Sequence, residues 1–471
     1  MSTPTGATHG PGRLENLVST WNSDGSRRWL RPRLAPGRFL NYRRIVGWTL
    51  ILFFFAAPLI PINGKPMLLF DVAARRFHMF GATFHPTDSV LLMLLMLSIF
   101  LGIFWITAVL GRVWCGWGCP QTVYMEFVFR PIERFFEGGP TAQRELDRKG
   151  GLPLRRVAKY LTFGLVGFVL ANQFLAYFVG WSDLIVWITE PPWEHLGGFS
   201  LVMVTTGLVV FDFAYFREQM CTVVCPYARL QSVLLDGDSL VVGYDQLRGE
   251  PRGKPKSRTA EGKATGDCID CKACVQVCPT GIDIRDGLQL ECINCTQCID
   301  ACDSIMKKVG KPTGLVRLSS TRNLREGTPR RLLRPRVLAY PVAIAALLGA
   351  MVLTLHSRSD VDVTVLRQLN APFVVESAER VRNQLRVKLV NRDREAQKFH
   401  VSVEGVDADV LVPVNPVTVP PDGQTTTPIF VTAPASVIDG SCSVTLKVTD
   451  ETGKSYTEEF ELLGPTEEVR P

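Results

Sequence analysis

Five long apolar runs constrain the fold of this chain more than any other feature of its sequence. About 20 apolar residues are enough for a helix to cross the hydrocarbon core of a bilayer. A hydrophobic fraction of 46% and a mean hydropathy of +0.13 also favour membrane insertion. The predicted spans are 45–62, 90–110, 160–179, 201–216 and 337–355. The fourth is the shortest, and its Asp212 is predicted either to bind a proton or cation or to lie at headgroup level.

Eight of the thirteen cysteines form a duplicated motif. The spacing Cys-x2-Cys-x2-Cys-x3-Cys occurs twice between Cys268 and Cys302. This spacing is typical of two [4Fe–4S] clusters in which the fourth cysteine of each half ligates the other cluster. The predicted ligands of the first cluster are Cys268, Cys271, Cys274 and Cys302, and those of the second cluster are Cys292, Cys295, Cys298 and Cys278.

Zinc is the alternative for these cysteines, because paired Cys-x2-Cys units also build zinc ribbons. A duplicated run of eight cysteines favours the two clusters, which serve as adjacent electron-transfer stations. Asp303 stands where proline usually follows the last cysteine. Since proline withholds a backbone N–H, this difference affects the reduction potential more than the ligation.

A second cysteine motif, Cys-x3-Cys-Pro, follows the second and the fourth apolar runs. If the motif is helical, positions i and i+4 lie on one face and present both sulfurs together. Soft thiolates in that arrangement suit Cu(I), zinc or a third Fe–S centre, and the sequence leaves the ion open. The residues of this thiol site are Cys115, Cys119, Cys221 and Cys225.

Basic residues beside the apolar runs predict the orientation of the helices, because Lys and Arg are concentrated in cytoplasmic loops. Residues 1–44 form an Arg-rich tail, and the Gly- and Pro-rich composition of its first forty residues also predicts disorder. The connection 180–200, in contrast, has neither Lys nor Arg. Metal-binding thiols need a reducing compartment. We therefore predict a multi-pass bacterial inner-membrane protein, embedded in lipid, with a cytoplasmic N terminus and cytoplasmic clusters. The formal charge of +7 follows from this topology and does not indicate nucleic-acid binding.

The fold class predicted is a multi-domain membrane protein. A bundle of four helices occupies 45–216, a cytoplasmic segment with a ferredoxin-like domain at about 259–310 occupies 217–336, and a fifth helix occupies 337–356. Residues 357–471 alternate apolar and polar side chains, for example at 384–390, which predicts antiparallel strands. Some seven such strands suit a periplasmic immunoglobulin-like β-sandwich. Cys442 has no predicted disulfide partner there.

Weaker candidates lie in the two predicted outer connections. Loop histidines and methionines could bind copper or hydrogen-bond a quinol, although such residues are more often only interfacial. They are His78, His85, Met67, Met79 and His195.

These elements, in this order, closely resemble the CcoG family, also called FixG or RdxA, the accessory proteins of cbb3-type cytochrome c oxidase. The resemblance implies a role in oxidase maturation, in which Cu(II) is reduced to Cu(I) before delivery to the heme–copper centre. The chain would then act as a cupric reductase, with copper held by the thiol site and electrons supplied by the clusters. The implied partners are cbb3 oxidase subunits or copper chaperones, and the electron donor is unknown.

Two other functions are compatible with the same features. One is a membrane subunit that passes electrons from quinol to a periplasmic reductase, as in the similar NapH and NosR proteins. The C-terminal sandwich disfavours this function, because such a domain suits docking to a partner complex. The other is an assembly scaffold whose clusters only stabilise it.

Overall fold

The computed structural model describes residues 20, 26–72, 74–253, 265–368, 371–377, 380–393, 395–438 and 440–465. The chain divides into two compact units, Met1–Met351 and Val352–Pro471. The helices of the chain are α1 (Arg38–Ala56), α2 (Ser89–Leu110), α3 (Pro120–Tyr124), α4 (Arg130–Glu137), α5 (Pro140–Lys149), α6 (Leu154–Val179), α7 (Trp181–Thr189), α8 (Leu196–Phe211), α9 (Pro226–Leu234), α10 (Gln246–Gly249), α11 (Ala273–Gln276), α12 (Gln297–Lys308), α13 (Thr321–Glu326) and α14 (Pro335–His356).

The first unit also contains short strands. Between α1 and α2 lie a hairpin of β1 (Pro61–Ile62) with β2 (Lys65–Pro66) and an antiparallel sheet of β3 (Leu68–Asp71), β4 (Arg76–Met79) and β5 (Ala82–Phe84). A separate ribbon pairs β6 (Leu240–Tyr244) with β7 (Val316–Ser320) and borders the cysteine-rich segment.

All five predicted spans are helices that are long and apolar enough to cross a membrane, and their bounds differ from the prediction by a few residues. The first ends at Ala56 because Pro58 cannot continue a helix. The fourth is longer than predicted, since α8 begins at Leu196 and a π-helical turn continues it to Phe216. Gly197 and Gly198, near the start of α8, are less apolar than the residues that follow, and the predicted span therefore began only at residue 201.

The start of α1 at Arg38 is fixed by the cysteine-rich segment. Both carboxylate oxygens of Asp300, on α12, accept backbone N–H groups, from Phe39 at 3.3 Å and from Leu40 at 2.9 Å. A side-chain oxygen at this position satisfies N–H groups that have no partner within the helix. The first membrane helix is therefore anchored on the cysteine-rich segment, a contact that apolar length could not predict.

The prediction of a disordered tail is wrong for residues 26–37, while residues 1–19 and 21–25 lie outside the described residues. Arg31 is 7% exposed and forms ion pairs with Glu133 at 3.2 Å and Asp147 at 3.1 Å. Arg217 and Lys159 also pair with Glu133. Four charged side chains, each nearly buried, thus join the tail to α4, α6 and the end of the fourth span.

This network predicts a pH dependence of stability. Burial alone would raise the pKa of Glu133, but Arg217, Arg31 and Lys159 outweigh it and hold the pKa below the ordinary value of 4.5. Arg130, Arg43 and Arg134 likewise outweigh burial at Glu126.

A carboxylate with a lowered pKa in the folded state stabilises the protein above its unfolded pKa and loses that contribution as the pH falls. We expect the unfolding temperature in detergent to fall steeply as the pH drops below about 4.5. A flat profile between pH 6 and pH 3 would contradict this assignment.

The second unit is a two-sheet antiparallel sandwich, as predicted, with nine strands in its described residues instead of about seven. The strands are β8 (Val361–Arg367), β9 (Val374–Ser377), β10 (Arg380–Asn391), β11 (Gln397–Glu404), β12 (Asp409–Leu411), β13 (Val417–Val419), β14 (Gln424–Pro434), β15 (Ser441–Asp450) and β16 (Ser455–Leu463). One sheet has the order β12-β14-β10-β8, with β9 also on β10, and the other has the order β13-β11-β15-β16. The additional strands are too short to show alternation. Cys442 is a free thiol on β15.

Candidate iron–sulfur and thiol sites

The eight clustered cysteines surround two separate cavities. The first cavity, of about 380 Å³, is lined by one set of four cysteines, and the second, of about 340 Å³, by the other set. The fourth cysteine of each half is exchanged between them, which is the crossed arrangement of two-cluster ferredoxins. The first cavity is lined by Cys268, Cys271, Cys274 and Cys302, and the second by Cys278, Cys292, Cys295 and Cys298.

Local backbone geometry shapes the loop on one side of each cavity. In the first loop Asp270 (φ 52°) and Lys272 (φ 56°) lie on either side of the middle cysteine, and in the second loop Asn294 (φ 53°) and Thr296 (φ 62°) do the same. Positive φ is uncommon for residues other than glycine and persists only where the surroundings enforce it. The two halves of the motif therefore fold as structural repeats, as their equal spacing predicts.

The donor set of both cavities fits a [4Fe–4S] cluster. Burial raises the pKa of Cys274, Cys292 and Cys302 to about 12. Such thiols become thiolates when a bound cation compensates their charge. In the part of the chain that the structure describes, no three His, Cys, Asp or Glu side chains converge closely enough to hold a single metal ion. The cysteines of each set instead form the walls of a space.

Tyr244 supplies an independent indication for the first cavity. Its side chain lines this cavity and is 5% exposed, and burial, together with the nearby Cys268 thiol and Glu250 carboxylate, raises the pKa of its hydroxyl. Gly249 packs against the hydroxyl, because a Cβ there would lie 2.1 Å from the oxygen. A buried hydroxyl normally has a partner, and a sulfur atom of a cluster in this cavity could accept its proton.

We expect Tyr244→Phe to lower the midpoint potential of one cluster only. A hydrogen bond to a cluster sulfur favours the reduced, more negative state, so its loss makes reduction harder. An EPR-monitored redox titration measures both potentials, and Tyr42→Phe is the control because Tyr42 is 57% exposed on α1. Two unchanged potentials would show that the hydroxyl does not reach the cluster.

The two Cys-x3-Cys-Pro motifs share one local structure, which differs from the continuous helix that the sequence analysis assumed. Each begins in a π-helical turn, Trp114–Gly118 or Met220–Val224. The second cysteine then adopts an extended conformation, and the following proline is the first residue of α3 or α9. Proline suits this position because its missing N–H would have no partner there. The repeat places two equivalent cysteine pairs after two membrane helices.

The four cysteines of the thiol site are close enough to affect one another's pKa, although among the described residues no three of them converge on a single metal position. Burial raises the pKa of the Cys115, Cys119 and Cys221 thiols, and neighbouring cysteines of the same site raise it further. Asp212 has the same effect on Cys119 and Cys221, so its carboxylate borders the site. Its Oδ1 has no hydrogen-bond partner among the described residues. These thiols stay protonated unless a cation offsets the cost of a buried thiolate.

The thiol site lies directly against the loop of the second cavity. Cys115 packs with Ile293 and Cys295 in one apolar cluster. A Cβ at Gly116 would lie 2.4 Å from the backbone oxygen of Ile293 and 2.9 Å from the nitrogen of Cys295, so only glycine fits. Trp117 Nε1 donates a hydrogen bond to the Asn294 carbonyl at 3.2 Å. The second cavity, and not the first, is therefore next to the thiol site.

A third cavity of about 380 Å³ lies between the same two regions. Cys221 lines it on one side, and Pro279 and Thr280, which also line the second cavity, lie on the other. Arg43 borders this space and is 2% exposed, and its Nη1 has no hydrogen-bond partner in the described part of the chain. Its Nε donates to the Gly116 carbonyl at 3.0 Å.

The histidines and methionines that the sequence suggested as weaker copper or quinol ligands lie in two separate regions. His78 lies on β4, where its Nδ1 is 3.0 Å from Thr83 Oγ1, and His85 directly precedes the turn that leads into α2. Met67 and Met79 belong to the same small sheet region. His195 instead pairs with Glu190 before α8.

Sequence reasoning missed several residues around these sites. Tyr244 precedes the first cysteine of the motif by two dozen positions, and Gln231, whose Oε1 accepts from Cys115 Sγ at 3.0 Å, lies on α9. Neither residue belongs to a motif that can be recognised from the spacing of its residues. The Gly116 inside the motif was visible, but its tight contact depends on a loop almost 180 residues away.

Comparison with known proteins gives matches along most of the chain. Residues 216–321 match a family model described as a 4Fe-4S dicluster domain, residues 92–137 match a 4Fe-4S binding domain, and residues 351–465 match the IG-like fold at the C-terminal of FixG. The chain thus carries two 4Fe–4S binding domains. The second match contains Cys115 and Cys119.

Three curated relatives cover most of the chain. The nitrogen fixation protein FixG of Rhizobium meliloti is 34% identical, over 87% of this chain and 87% of the relative. Protein RdxB of Cereibacter sphaeroides is 35% identical over 85% of this chain and 88% of the relative. Protein RdxA of the same organism is 36% identical over 72% of this chain and 73% of the relative.

Proposed function

Because the chain belongs to the FixG/CcoG family, with FixG, RdxB and RdxA as relatives, we propose that it reduces Cu(II) to Cu(I) at the thiol site for the maturation of a cbb3-type oxidase. It is a membrane-type iron–sulfur electron-transfer protein.

The observation that carries the proposal is the contact between Cys115 and Cys295. One residue belongs to the thiol site and the other lines the second cavity, and their side chains share one buried apolar cluster with Ile293. The two sites are thus in direct side-chain contact at this point, beside the third cavity. The thiol site is therefore within short electron-transfer range of a cluster in the second cavity.

A [4Fe–4S] cluster supplies single electrons at low potential, and reduction of Cu(II) to Cu(I) consumes one. The thiols favour the product, because soft sulfur ligands prefer Cu(I). Their raised pKa means that copper binding releases protons, and the Asp212 carboxylate acts electrostatically on two of these thiols, Cys119 and Cys221. Gln231, on α9, accepts a hydrogen bond from the Cys115 thiol.

We further propose that the N terminus and the clusters face the cytoplasm and that the β-sandwich faces the periplasm. The basic connection between α2 and α6 and the absence of Lys and Arg from 180–200 support this orientation. The sandwich would then contact oxidase subunits or copper chaperones, and the electron donor would approach the first cavity, where Cys271 is exposed.

Three functions are separated by one reoxidation assay. The purified protein is reduced anaerobically, and its Fe–S absorbance is followed after addition of Cu(II) or of a quinone. Rapid reoxidation by Cu(II) alone supports copper reduction. Reoxidation by the quinone alone would instead indicate a quinol-linked subunit, and no reoxidation by either would indicate a scaffold.

The ion of the thiol site has one further candidate. The 4Fe-4S binding match over residues 92–137 includes the first cysteine pair, so a third Fe–S centre is the competing occupant. Metal analysis distinguishes them. Eight iron atoms per chain correspond to two clusters, whereas about twelve, falling to eight in Cys115→Ser, would replace the copper proposal with a third cluster.

We expect Gly116→Ala to slow reoxidation by Cu(II) while leaving both clusters bound. The added Cβ would displace the Ile293–Cys295 backbone from the thiol site, and a displacement of about 1 Å can slow a reaction a hundredfold, so roughly tenfold or more is expected. Gly139→Ala is the control, because a Cβ there meets nothing within 4 Å. Equal rates for both variants would show that this contact does not carry the electron.

A further inference from the structure

A cavity of about 580 Å³ lies between α6, α7 and α8, apart from all the cysteines. Apolar and aromatic side chains form most of its wall, including Phe168, Trp187 and Phe199. Three groups able to hydrogen-bond also line it, Asn172, Glu190 and His195. An apolar cavity with a few convergent polar groups is the usual form of a small-molecule site.

The polar groups of this cavity are held in fixed positions. His195 Nε2 lies 2.5 Å from Glu190 Oε2, and the imidazole stacks on Trp187 with ring centroids 4.8 Å apart and an interplanar angle of 16°. Gly198 packs against the same indole, where a Cβ would lie 2.8 Å from the ring. Because Nε2 faces this carboxylate, Nδ1 is the ring nitrogen left to hydrogen-bond a ligand.

The surroundings of the cavity favour an apolar ligand. Two of its walls, α6 and α8, belong to candidate membrane spans, whereas α7 has nine residues and is too short to cross a membrane. Ile188 on α7 and Phe199 on α8 line the cavity and are 54% and 43% exposed, so the cavity has an apolar opening near the start of the fourth span. An apolar ligand can enter through this opening.

The charges of the cavity exclude phospholipid headgroups as the preferred ligand. None of its described lining residues is Lys or Arg, and its one acidic side chain, Glu190, would repel a phosphate. A quinonoid ring matches the wall better. Its carbonyl or hydroxyl groups can meet Asn172 and His195 Nδ1, and its face can lie against aromatic side chains.

We propose that this cavity, the α6–α8 pocket, binds the headgroup of a membrane quinone or quinol. The fourth span has 21 residues, so about 30 Å of helix separates His195 from the thiol-site end. The ligand therefore binds without touching the cysteines, and the proposal is independent of copper reduction.

Binding is tested with decylubiquinone and the purified full-length protein in detergent. We expect saturable quenching of tryptophan fluorescence, with most of the quenching lost in Trp187→Phe. Asn172→Leu and His195→Leu should each weaken binding roughly tenfold, as expected for loss of one hydrogen bond. His356→Leu, at the end of α14, is the matched control and should bind as the unaltered protein does.

Competition distinguishes a quinone site from a cavity for acyl chains. Decanol has a chain of the same length and no ring, and we expect it not to displace decylubiquinone. Equal competition by decanol, or full affinity in both hydrogen-bonding variants, would overturn the proposal. The unaltered protein alone provides the first of these results, so it does not depend on the folding of any variant. Reoxidation by Cu(II) should be unchanged in His195→Leu, which separates this proposal from that of copper reduction.

Discussion

Replacing all four cysteines of the thiol site by serine is expected to abolish reduction of Cu(II) and to leave the Fe–S absorbance intact. Serine is nearly isosteric but lacks the soft sulfur that stabilises Cu(I). The eight cysteines around the two cavities are untouched, so cluster content should not change. The measurement is the reoxidation rate of the reduced protein by Cu(II), together with its visible spectrum. The altered residues are Cys115, Cys119, Cys221 and Cys225.

The matched control for this variant is Cys442→Ser. This cysteine is a free thiol of the second unit, on β15, and takes no part in either cysteine motif. It should reduce Cu(II) at the unaltered rate. If the variant with all four serines still reduced Cu(II), copper would be reduced at another site. If the Fe–S absorbance disappeared with the activity, the thiol site would be needed to assemble the clusters.

Removing the Glu133 carboxylate is expected to destabilise the first unit strongly. The side chain is 3% exposed and accepts three ion pairs, from Arg31, Arg217 and Lys159. Glu133→Ala would leave three buried cations with less compensation. Loss of one partner from a buried ion pair costs about 3–5 kcal/mol, and the unfolding temperature in detergent should fall accordingly.

Glu145→Ala is the control, because Glu145 forms an exposed ion pair with Lys149 one helical turn away and should not change the unfolding temperature. Similar unfolding temperatures for both variants would mean that the network around Glu133 contributes little. The network also explains why α6 begins at Leu154, six residues before the predicted start of the third span. The charged residues Arg156 and Lys159 are tolerated in its first turns because Glu137 pairs with both.

Much of the architecture could be predicted from short sequence patterns. Apolar length specifies a membrane helix wherever it lies in the fold, because the bilayer and not a neighbouring element supplies the environment. The alternation at 384–390 likewise specified part of β10. Equal cysteine spacing predicted the crossed cavities, because each half of the motif forms its own loop and the fourth cysteine follows at a fixed distance.

Contacts between segments that are distant in sequence could not be predicted from such patterns. The thiol site depends on the approach of two motifs about a hundred residues apart, and its contact with Cys295 on a third segment. Asp300 anchors the start of α1 across 260 residues of chain. The ordered segment 26–37 looked disordered because its partners, such as Glu133, lie on other elements.

The sequence by itself determined which residues are chemically able to act: five spans, eight cluster cysteines, two further cysteine pairs and a β-rich C-terminal region. Those properties are local, since they follow from composition and spacing within short windows. Only the tertiary structure decided which cluster cavity adjoins the thiol site, that Tyr244 lines the first cavity, and that His195 lines a cavity between α6, α7 and α8. Each of these depends on which elements pack together, and packing is selected by the whole set of contacts and not by any one window of sequence.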